Sequence, residues 1–426
     1  MTQDGQNLDD CPVDSLTTAS REKWMRTVLW FVGACSLSLV IGYAISGSWH
    51  GHQIDLDVYR MGGRAVFGDH LYVVKLPLDG LGFTYPSFSA LLFAPFGLLS
   101  TTTVQVAWAI GNVVALLELL CLTIKALRPD LDKSTNLQWA LVSLAPALWL
   151  QPVRLTFNLG QINVLLVLLI LADLTCDLRV GRNPIPRGVL IGFAAAVKLT
   201  PLIFIPFLFL TKRMRAACTA LAAFVGCNLV VAVVAPRATW QFWTKYSSEL
   251  GRIGNADYTS DQNLRAFLLR VDHGTAPSLV LLSLSILIAV GGISLSVAAY
   301  RVSSPFLAML VCAVTGLLVS PVTWSHHLVW VVPVIGWFLL GSDRPRFGWV
   351  WASLTAILFW TAPIWRIPYA NNRELSETPV HFVLGNSYFF AMTAFLVGIA
   401  VLLAARTRSI ANHPDVSAPK RLSVGS

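Results

Sequence analysis

Charged residues are scarce in this chain. Asp, Glu, Lys and Arg make up 12% of its 426 residues, whereas a soluble domain carries about 25%. A water-soluble globular protein of this size would lack the polar side chains needed to cover its surface. Intrinsic disorder is excluded for the opposite reason, because 55% of the residues are hydrophobic.

Regular alternation of apolar and polar residues is also lacking, which argues against an outer-membrane β-barrel. The apolar residues instead form continuous runs, several of about 20 residues, the length at which a helix crosses the hydrocarbon core of a bilayer. The mean hydropathy is +0.64. The composition therefore predicts an all-α polytopic membrane protein.

Paired-cysteine motifs are missing as well. The seven cysteines show no CxxC or other metal-binding spacing, and most lie in or beside apolar runs. They are interpreted as small residues of the membrane core. No cleavable signal peptide is evident, and the first apolar run is long enough to act as a signal anchor.

The net charge is +9. Basic clusters flank the apolar runs, as they do on the cytoplasmic side of membrane proteins, so nucleic-acid binding is not expected. The layout predicts about 12 transmembrane segments with both termini inside. We expect a disordered cytoplasmic tail over residues 1–26, a membrane domain over 27–405 and a basic cytoplasmic tail over 406–426.

The apolar segment 188–210 has basic residues at both ends and Lys198-Leu199-Thr200-Pro201 at its middle. If both ends are cytoplasmic, the segment enters the membrane and returns as two half-helices with an apex near Lys198. A single ordinary span with a snorkelling lysine is the alternative.

Two carboxylates, Asp55 and Asp57, follow the first span. At the membrane boundary partial burial would raise the pKa of a carboxyl group towards that of a useful general base. Their spacing points them in different directions, so they are not expected to act as one pair. A solvated turn or a helix cap is the alternative interpretation.

Three further polar groups fall on the same predicted outer face. Tyr85 precedes a short apolar segment, where it could stack on a sugar or belong to an interfacial aromatic belt. Gln161 and Asn163 sit at a turn, where their amides could bind sugar hydroxyls or satisfy the backbone of a hairpin. Asn263 could face a site or solvent.

The segment 320–327, Ser-Pro-Val-Thr-Trp-Ser-His-His, is the strongest polar group of the C-terminal half. His326 and His327 could contact an anion at a helix start, or could be interfacial structural residues. Adjacent histidines do not share a helix face, so joint metal binding is not expected. Trp324 could stack on a sugar.

These motifs occur together in an order that resembles the actinobacterial GT-C glycosyltransferases that use polyprenol-phosphate sugars. The set comprises Asp-Leu-Asp-Val-Tyr at 55–59, Tyr-Pro-Ser-Phe at 85–88, Gly-Gln-Ile-Asn at 160–163, Lys-Leu-Thr-Pro at 198–201, Gln-Asn at 262–263, and the segment 320–327. The resemblance is greatest to the α-1,2-mannosyltransferases of phosphatidylinositol mannoside synthesis. It implies a GT-C fold with short re-entrant or half helices and an active site built from extracytoplasmic loops.

The resemblance also implies the substrates and the base. The donor would be polyprenol-phosphate-β-mannose, and the acceptor a phosphatidylinositol mannoside that receives mannose in an α(1→2) linkage. Asp55 occupies the position of the catalytic base, and Asp57 is the second candidate. The active site would face the periplasmic side of the plasma membrane, with membrane lipids around the protein.

Inversion at the anomeric carbon needs a single displacement, in which the leaving phosphate is stabilised by positive or hydrogen-bonding groups. The candidates for that role are His326, His327, Lys198 and Arg64. The candidates for sugar or acceptor binding are Tyr59, Tyr85, Gln161, Asn163, Asn263 and Trp324. No acidic cluster resembles a Mg²⁺ site, so we expect no metal and no other cofactor.

Other functions remain open at this stage. The motifs do not separate mannose from arabinose, so a polyprenol-phosphate-arabinose-dependent arabinofuranosyltransferase is the nearest alternative. A transporter or flippase for a lipid-linked sugar is the alternative of another class. Two matching halves of the sequence would favour it, and the sequence does not show them. A scaffold without catalysis would tolerate the replacement of Asp55.

Overall fold

The computed structural model describes residues 13–50, 53–77, 80–369, 371–375 and 378–412. Most of these residues are helical. The helices are α1 Val13–His50, α2 Ile54–Ala65, α3 Ser87–Phe93, α4 Thr101–Leu127, α5 Lys133–Trp149, α6 Gln151–Leu159, α7 Asn163–Thr175, α8 Val189–Val197, α9 Phe204–Leu210, α10 Met214–Val234, α11 Pro236–Gln241, α12 Leu264–Val271, α13 Ser278–Val302, α14 Pro305–Val319, α15 Val331–Leu340, α16 Gly348–Thr361, α17 Pro379–Gly385 and α18 Ser387–Asn412.

Shorter elements connect these helices. A two-stranded antiparallel hairpin joins α7 to α8, with strands β1 Arg179–Val180 and β2 Asn183–Pro184. Single 3₁₀ turns cover Ala94–Leu98, Thr200–Ile203, Leu250–Ile253, Ser325–Trp330, Pro363–Trp365 and Arg373–Leu375, and a π-helical turn covers Phe242–Tyr246.

Five helices of the described part are long and apolar enough to cross a membrane: α1, α4, α10, α13 and α18. A sixth span results if α5 and α6 are counted as one bent helix. Many large apolar side chains of these helices are exposed, as expected for surfaces that face lipid. The chain is therefore a polytopic helical membrane protein, as its composition predicts.

Both predicted tail boundaries differ from the structure. Helix α1 begins at Val13, so residues 13–26 are helical and not disordered. The sequence offers a reason, because no proline or glycine interrupts the chain between Val13 and the first span. Helix α18 likewise continues past residue 406 to Asn412. The remaining tail residues, 1–12 and 413–426, lie outside the described residues.

The apolar run 138–157 is not one continuous helix. Its helix ends at Trp149 and resumes at Gln151, with a bend of 79° between α5 and α6. Pro152 in the first turn of α6 explains the break, because its ring nitrogen cannot donate to the preceding helix. The bend turns α6 towards the segment 320–327.

The predicted break at Lys198 is confirmed. Helix α8 ends at Val197, Lys198 has extended backbone angles (φ −148°, ψ 130°), and a 3₁₀ turn leads into α9. The break carries the lysine side chain out of the helical pattern and leaves the two helical pieces short and apolar. Whether the chain reverses direction in the membrane at this point stays a prediction.

Helix α14 forms the centre of the fold. All but two of its residues are buried, and it contacts α13, α18 and the two 3₁₀ turns at Thr200–Ile203 and Ser325–Trp330. The first of these turns follows Lys198 in the chain, and the second contains His326 and His327. This largely buried helix thus supports the backbone next to Lys198 and the backbone that carries the histidine pair.

Candidate active site

Gln161 hydrogen-bonds to three polar side chains, which form the first group of the site. Its Nε2 donates to Asp55 Oδ2 at 2.7 Å, and its Oε1 accepts from the hydroxyls of Tyr59 at 2.8 Å and Tyr85 at 3.1 Å. The two tyrosine hydroxyls are 3.0 Å apart. Since the tyrosines occupy the acceptor side of the amide, its donor side is oriented towards the Asp55 carboxylate.

Gly160 makes this arrangement possible. It ends α6 in the left-handed region (φ +69°), which favours glycine. A Cβ at this position would lie 2.7 Å from Leu56 Cβ, on the helix that carries Asp55. The missing side chain therefore lets the α6–α7 turn approach α2 closely enough for Gln161 to reach Asp55.

Lys198 contacts Asn163 and His327, and these residues form the second group of the site. Its Nζ donates to Asn163 Oδ1 at 2.9 Å and lies 2.8 Å from His327 Nε2. An ammonium group has no acceptor, so His327 accepts on Nε2 and carries its proton on Nδ1. Asn163 Nδ2 donates to the carbonyl oxygen of His326 at 3.0 Å. A small cavity is lined by Lys198, Asn163 and His327.

Tyr85 connects the two groups. Its hydroxyl belongs to the Gln161 group, and Lys198 Nζ lies 5.4 Å from the centre of its ring. The Asp55 carboxylate and the Lys198 ammonium thus belong to one connected site, and their charges interact. We call the whole set, Asp55, Tyr59, Tyr85, Gln161, Asn163, Lys198, His326 and His327, the polar cluster.

Both histidine rings are buried, and their ring centres are 4.8 Å apart. Within the described residues, both ring nitrogens of His326 and Nδ1 of His327 have no hydrogen-bond partner. Buried polar atoms are normally paired, because an unpaired one costs about 1–3 kcal/mol. These nitrogens are therefore available to a ligand that enters the cluster.

Burial raises the pKa of the Asp55 carboxyl group to about 6. The hydrogen bond from Gln161 and the charge of Lys198 act in the opposite direction. A carboxylate with this pKa is ionised at neutral pH and is a stronger base than an ordinary aspartate. The polar cluster can thus remove a proton at Asp55 and stabilise an anion at Lys198 and the histidines.

Two predicted site residues lie outside the polar cluster. Asp57 pairs with Arg60 at 3.5 Å, and the buried Arg60 side chain donates to Thr101 Oγ1 and the Leu99 carbonyl oxygen. Arg64 is exposed and donates to the carbonyl oxygen of Gly97. Arg64 follows Asp55 by nine positions, about 13 Å along the helix, so the structure does not bring Arg64 to the phosphate-binding candidates.

Asn263 and Trp324 have other partners. Asn263 Oδ1 accepts from the Ala266 N–H at 2.7 Å and caps α12, while its Nδ2 donates to the Ser320 carbonyl oxygen at 2.9 Å. Both polar atoms of Asn263 thus already bond within the fold, which indicates a structural role. Trp324 is partly exposed and lies beside Tyr258, with ring centres 6.1 Å apart.

The segment 259–263 fixes the backbone that carries the histidines, a role the sequence analysis missed. Asp261 Oδ1 accepts from the Thr323 N–H at 2.7 Å, and the Gln262 N–H donates to the Thr323 carbonyl oxygen at 2.8 Å. The hydroxyls of Ser260 and Ser325 are 3.0 Å apart. Burial raises the pKa of Asp261 to about 7. A run of polar residues at 259–263 was the available signal.

Arg252 was also missed. Its guanidinium donates to the carbonyl oxygens of Phe83 at 2.7 Å and Thr84 at 3.2 Å, the two residues before Tyr85. It also lies against the ring of Tyr72, whose hydroxyl donates to the Tyr85 carbonyl oxygen. An isolated arginine in a polar loop offers no sequence pattern that would predict this contact.

Across the described ranges, no three or more His, Cys, Asp or Glu side chains lie together in a way that could hold a metal ion. The expectation of a metal-free enzyme depends on the chemistry of the reaction and stays a prediction.

Comparison with known proteins adds independent information. The sequence model of glycosyltransferase family 87 matches residues 83–321. A protein of Mycobacterium tuberculosis (strain H37Rv), named polyprenol-phosphate-mannose-dependent alpha-(1-2)-phosphatidylinositol mannoside mannosyltransferase, is 35% identical over 92% of this chain and 97% of its own length. A protein of the same name from Mycolicibacterium smegmatis is 34% identical over 84% of this chain and 86% of its own length.

A more distant relative carries a related name. It is the Mycolicibacterium smegmatis polyprenol-phosphate-mannose-dependent alpha-(1-2)-phosphatidylinositol pentamannoside mannosyltransferase, 29% identical over 82% of this chain and 83% of its own length. No solved structure matches the chain.

Proposed function

Because this chain belongs to glycosyltransferase family 87, we propose that it is a membrane mannosyltransferase. It transfers mannose from polyprenol-phosphate-mannose to a phosphatidylinositol mannoside and forms an α(1→2) linkage. The names of its relatives support the donor, the acceptor and the linkage. They favour mannose over arabinose, and a transferase over a transporter or flippase. The observation that carries the proposal is the polar cluster, which contains both Asp55 and the bonded pair of Lys198 and His327.

The reaction is a single displacement. The acceptor hydroxyl oxygen forms a bond to the anomeric carbon of mannose while the bond from that carbon to the phosphate oxygen breaks. Asp55 takes the hydroxyl proton, and the electron pair of the broken bond leaves with the polyprenyl phosphate. Attack on the face opposite the β-phosphate gives the α-glycoside, through a transition state resembling an oxocarbenium ion.

The other members of the polar cluster have distinct roles. Lys198, His326 and His327 donate hydrogen bonds to the departing phosphate, whose negative charge increases in the transition state. Tyr59 and Tyr85 hold Gln161, which orients the Asp55 carboxylate. Asn163 holds Lys198 and the histidine backbone in place and lines the cavity beside them. No step requires a metal, because phosphate is already a good leaving group.

The membrane arrangement follows from the charges. The protein resides in the plasma membrane, its tails face the cytoplasm, and the polar cluster faces the extracytoplasmic side, where the lipid-linked donor is presented. The shorter apolar helices, together with the long ones, make up about 12 membrane segments of a GT-C fold. The segment 188–210 is a re-entrant pair with Lys198 at its apex.

A transfer assay tests the proposal. Purified protein receives polyprenol-phosphate-mannose with labelled sugar and a phosphatidylinositol tetramannoside, beside the variants Asp55→Asn and Asp57→Asn. We expect labelled, α-mannosidase-sensitive product from the wild type, also in the presence of EDTA. Asp55→Asn loses about 10²–10⁴-fold in rate, and Asp57→Asn keeps most of the activity because Asp57 pairs with Arg60.

Three results would contradict the proposal. Product formed with polyprenol-phosphate-arabinose, and none with the mannose donor, would show that the transferred sugar is arabinose. Full activity of Asp55→Asn would show that Asp55 is not the general base. Loss of activity with EDTA that returns with Mg²⁺ would overturn the metal-free mechanism.

A further inference from the structure

Four aromatic side chains from three loops form a group beside the histidine segment. The ring of Tyr258 lies 6.1 Å from that of Trp324, 5.9 Å from Trp365 and 6.1 Å from Tyr369, measured between ring centres. Trp365 and Tyr369 are 5.3 Å apart. All four side chains are partly exposed, and Tyr369 retains 39% of its surface. We call this group the aromatic platform.

The loops that carry the platform are fixed to one another. Thr259 Oγ1 donates to the Ile364 carbonyl oxygen at 3.0 Å, which joins the loop of Tyr258 to that of Trp365. Asp261 and Trp324 form a β-bridge. A Cβ on Gly254 would meet the Trp324 ring at 3.0 Å, so the glycine lets the backbone lie against one side of the indole. The rings are therefore held in place before any ligand binds.

A structural core is an insufficient explanation for this group. Edge-to-face contacts stabilise aromatic pairs, yet a cluster made only for stability would be covered, as the rings of Tyr59 and Phe93 are. The platform instead keeps four partly exposed rings together on loops, and one of them, Trp324, lies two residues before His326 in the chain. Exposed polar residues, Asn255 and Arg366, flank it in the chain.

Carbohydrate is the chemistry that suits such a surface. The face of an aromatic ring is electrically negative, and the axial C–H groups on one face of a hexose are weakly positive and apolar. Hydroxyls at the rim of the sugar can bond to amide and guanidinium groups nearby. A saturated lipid chain would not need rings in T-shaped contact or polar neighbours, so the observations favour a sugar.

We propose that the aromatic platform, Tyr258, Trp324, Trp365 and Tyr369, binds hexose rings of the acceptor that have already been added, next to the hexose whose hydroxyl reacts. The inference rests on the proposed function, because it presumes a glycosylated acceptor. It assigns acceptor recognition to loops distant in sequence from Asp55, while Trp324 links these loops to the histidines through the backbone.

Acceptor kinetics test this assignment. Trp365→Ala and Tyr369→Ala each raise the KM for phosphatidylinositol tetramannoside by roughly 3- to 10-fold, the loss expected for one aromatic contact. The KM for the donor and the kcat change less than twofold. Trp365→Phe restores most of the acceptor affinity because it retains a ring. The matched control is Trp349→Ala, which removes an exposed tryptophan at the far end of α16.

A binding measurement separates this inference from the proposed function. Saturation-transfer NMR with a mannose disaccharide and detergent-solubilised protein detects the sugar without any transfer reaction. Signal with the wild type that disappears in the Trp365→Ala/Tyr369→Ala variant supports the platform even if no mannose is transferred. An unchanged acceptor KM in both alanine variants, or a disaccharide signal that persists in the double variant, overturns it, whether or not the enzyme is active.

Discussion

At the scale of single residues, Asp55 and Asp57 show how two neighbouring carboxylates acquire different roles. Asp55 accepts from Gln161 inside the polar cluster, whereas Asp57 pairs with Arg60, which is bound to the start of α4. The sequence indicates that the two side chains diverge, and only the resemblance ranks Asp55 first. What distinguishes Asp55 in the structure is its hydrogen bond with Gln161, 106 residues away in the chain. No local sequence pattern reveals this contact.

The raised pKa of Asp55 predicts the pH dependence of the reaction. The carboxyl group is active as a base only when it is ionised, and burial raises its pKa to about 6. The kcat/KM should therefore fall about tenfold per pH unit well below pH 6. A pH–rate profile with saturating donor checks this. Asp57→Asn should keep the inflection, and an inflection near 4 would contradict the assignment.

Lys198 and Arg64 form a matched pair of cations for a second prediction. Lys198 bonds to Asn163 and His327 inside the polar cluster, whereas Arg64 bonds to Gly97 at the other end of α2. Lys198→Gln should lower kcat/KM for the donor by about 10- to 100-fold, the value of a charged hydrogen bond. Arg64→Gln should change it less than threefold. Initial rates over a donor series measure both, and equal losses would count against the proposed phosphate site.

Sequence patterns identified every member of the polar cluster, because each belongs to a short motif of polar residues in an apolar chain. They did not identify Asp261 or Arg252, which position those members through the backbone of Thr323 and Phe83. Such contacts join segments 62 and 169 residues apart. A single sequence contains residue types and their spacing, but it does not show which distant loops contact each other.

At the scale of elements, the turn between α6 and α7 sets the distance between Gln161 and Asp55. Gly160→Ala should be damaging, because alanine at φ +69° is strained and its Cβ would lie 2.7 Å from Leu56 Cβ. We expect a loss of about 1–3 kcal/mol in stability and a larger loss of activity. Thermal unfolding in detergent, beside the transfer assay, measures the two.

The control for that substitution is Gly226→Ala in the middle of α10, where a Cβ meets nothing within 4 Å. It should leave activity unchanged and keep or raise the melting temperature. If Gly160→Ala behaved in the same way, the close approach of α6 to α2 would not matter for the site.

Element boundaries were predicted well where apolar runs and prolines coincide. The break at Lys198, three residues before Pro201, is the example. The bend between α5 and α6 was missed because the run is apolar on both sides of it, and hydrophobicity alone does not show where a helix turns. The tail boundaries were missed because helix can continue through polar residues that lack glycine and proline.

At the scale of the whole molecule, the orientation of the segment 188–210 decides the topology. Single cysteines at exposed sites before and after it, Arg182→Cys and Arg215→Cys, are placed in a cysteine-free chain. If the segment is re-entrant, an impermeant thiol reagent should label both only from the cytoplasmic side. Arg366→Cys is the control for the opposite side. Labelling of the first two sites from opposite sides would show a single span.

The hydrogen bonds of the site join distant parts of the chain. Asn163 reaches the carbonyl oxygen of His326 across 163 residues, and Gln151 reaches Ser325 across 174. During synthesis the bonds of Asp55 to Gln161 and of Lys198 to Asn163 can form early, whereas the histidines join them only after residue 327 has left the ribosome. A chain that stopped before residue 320 would insert into the membrane yet have no catalytic centre.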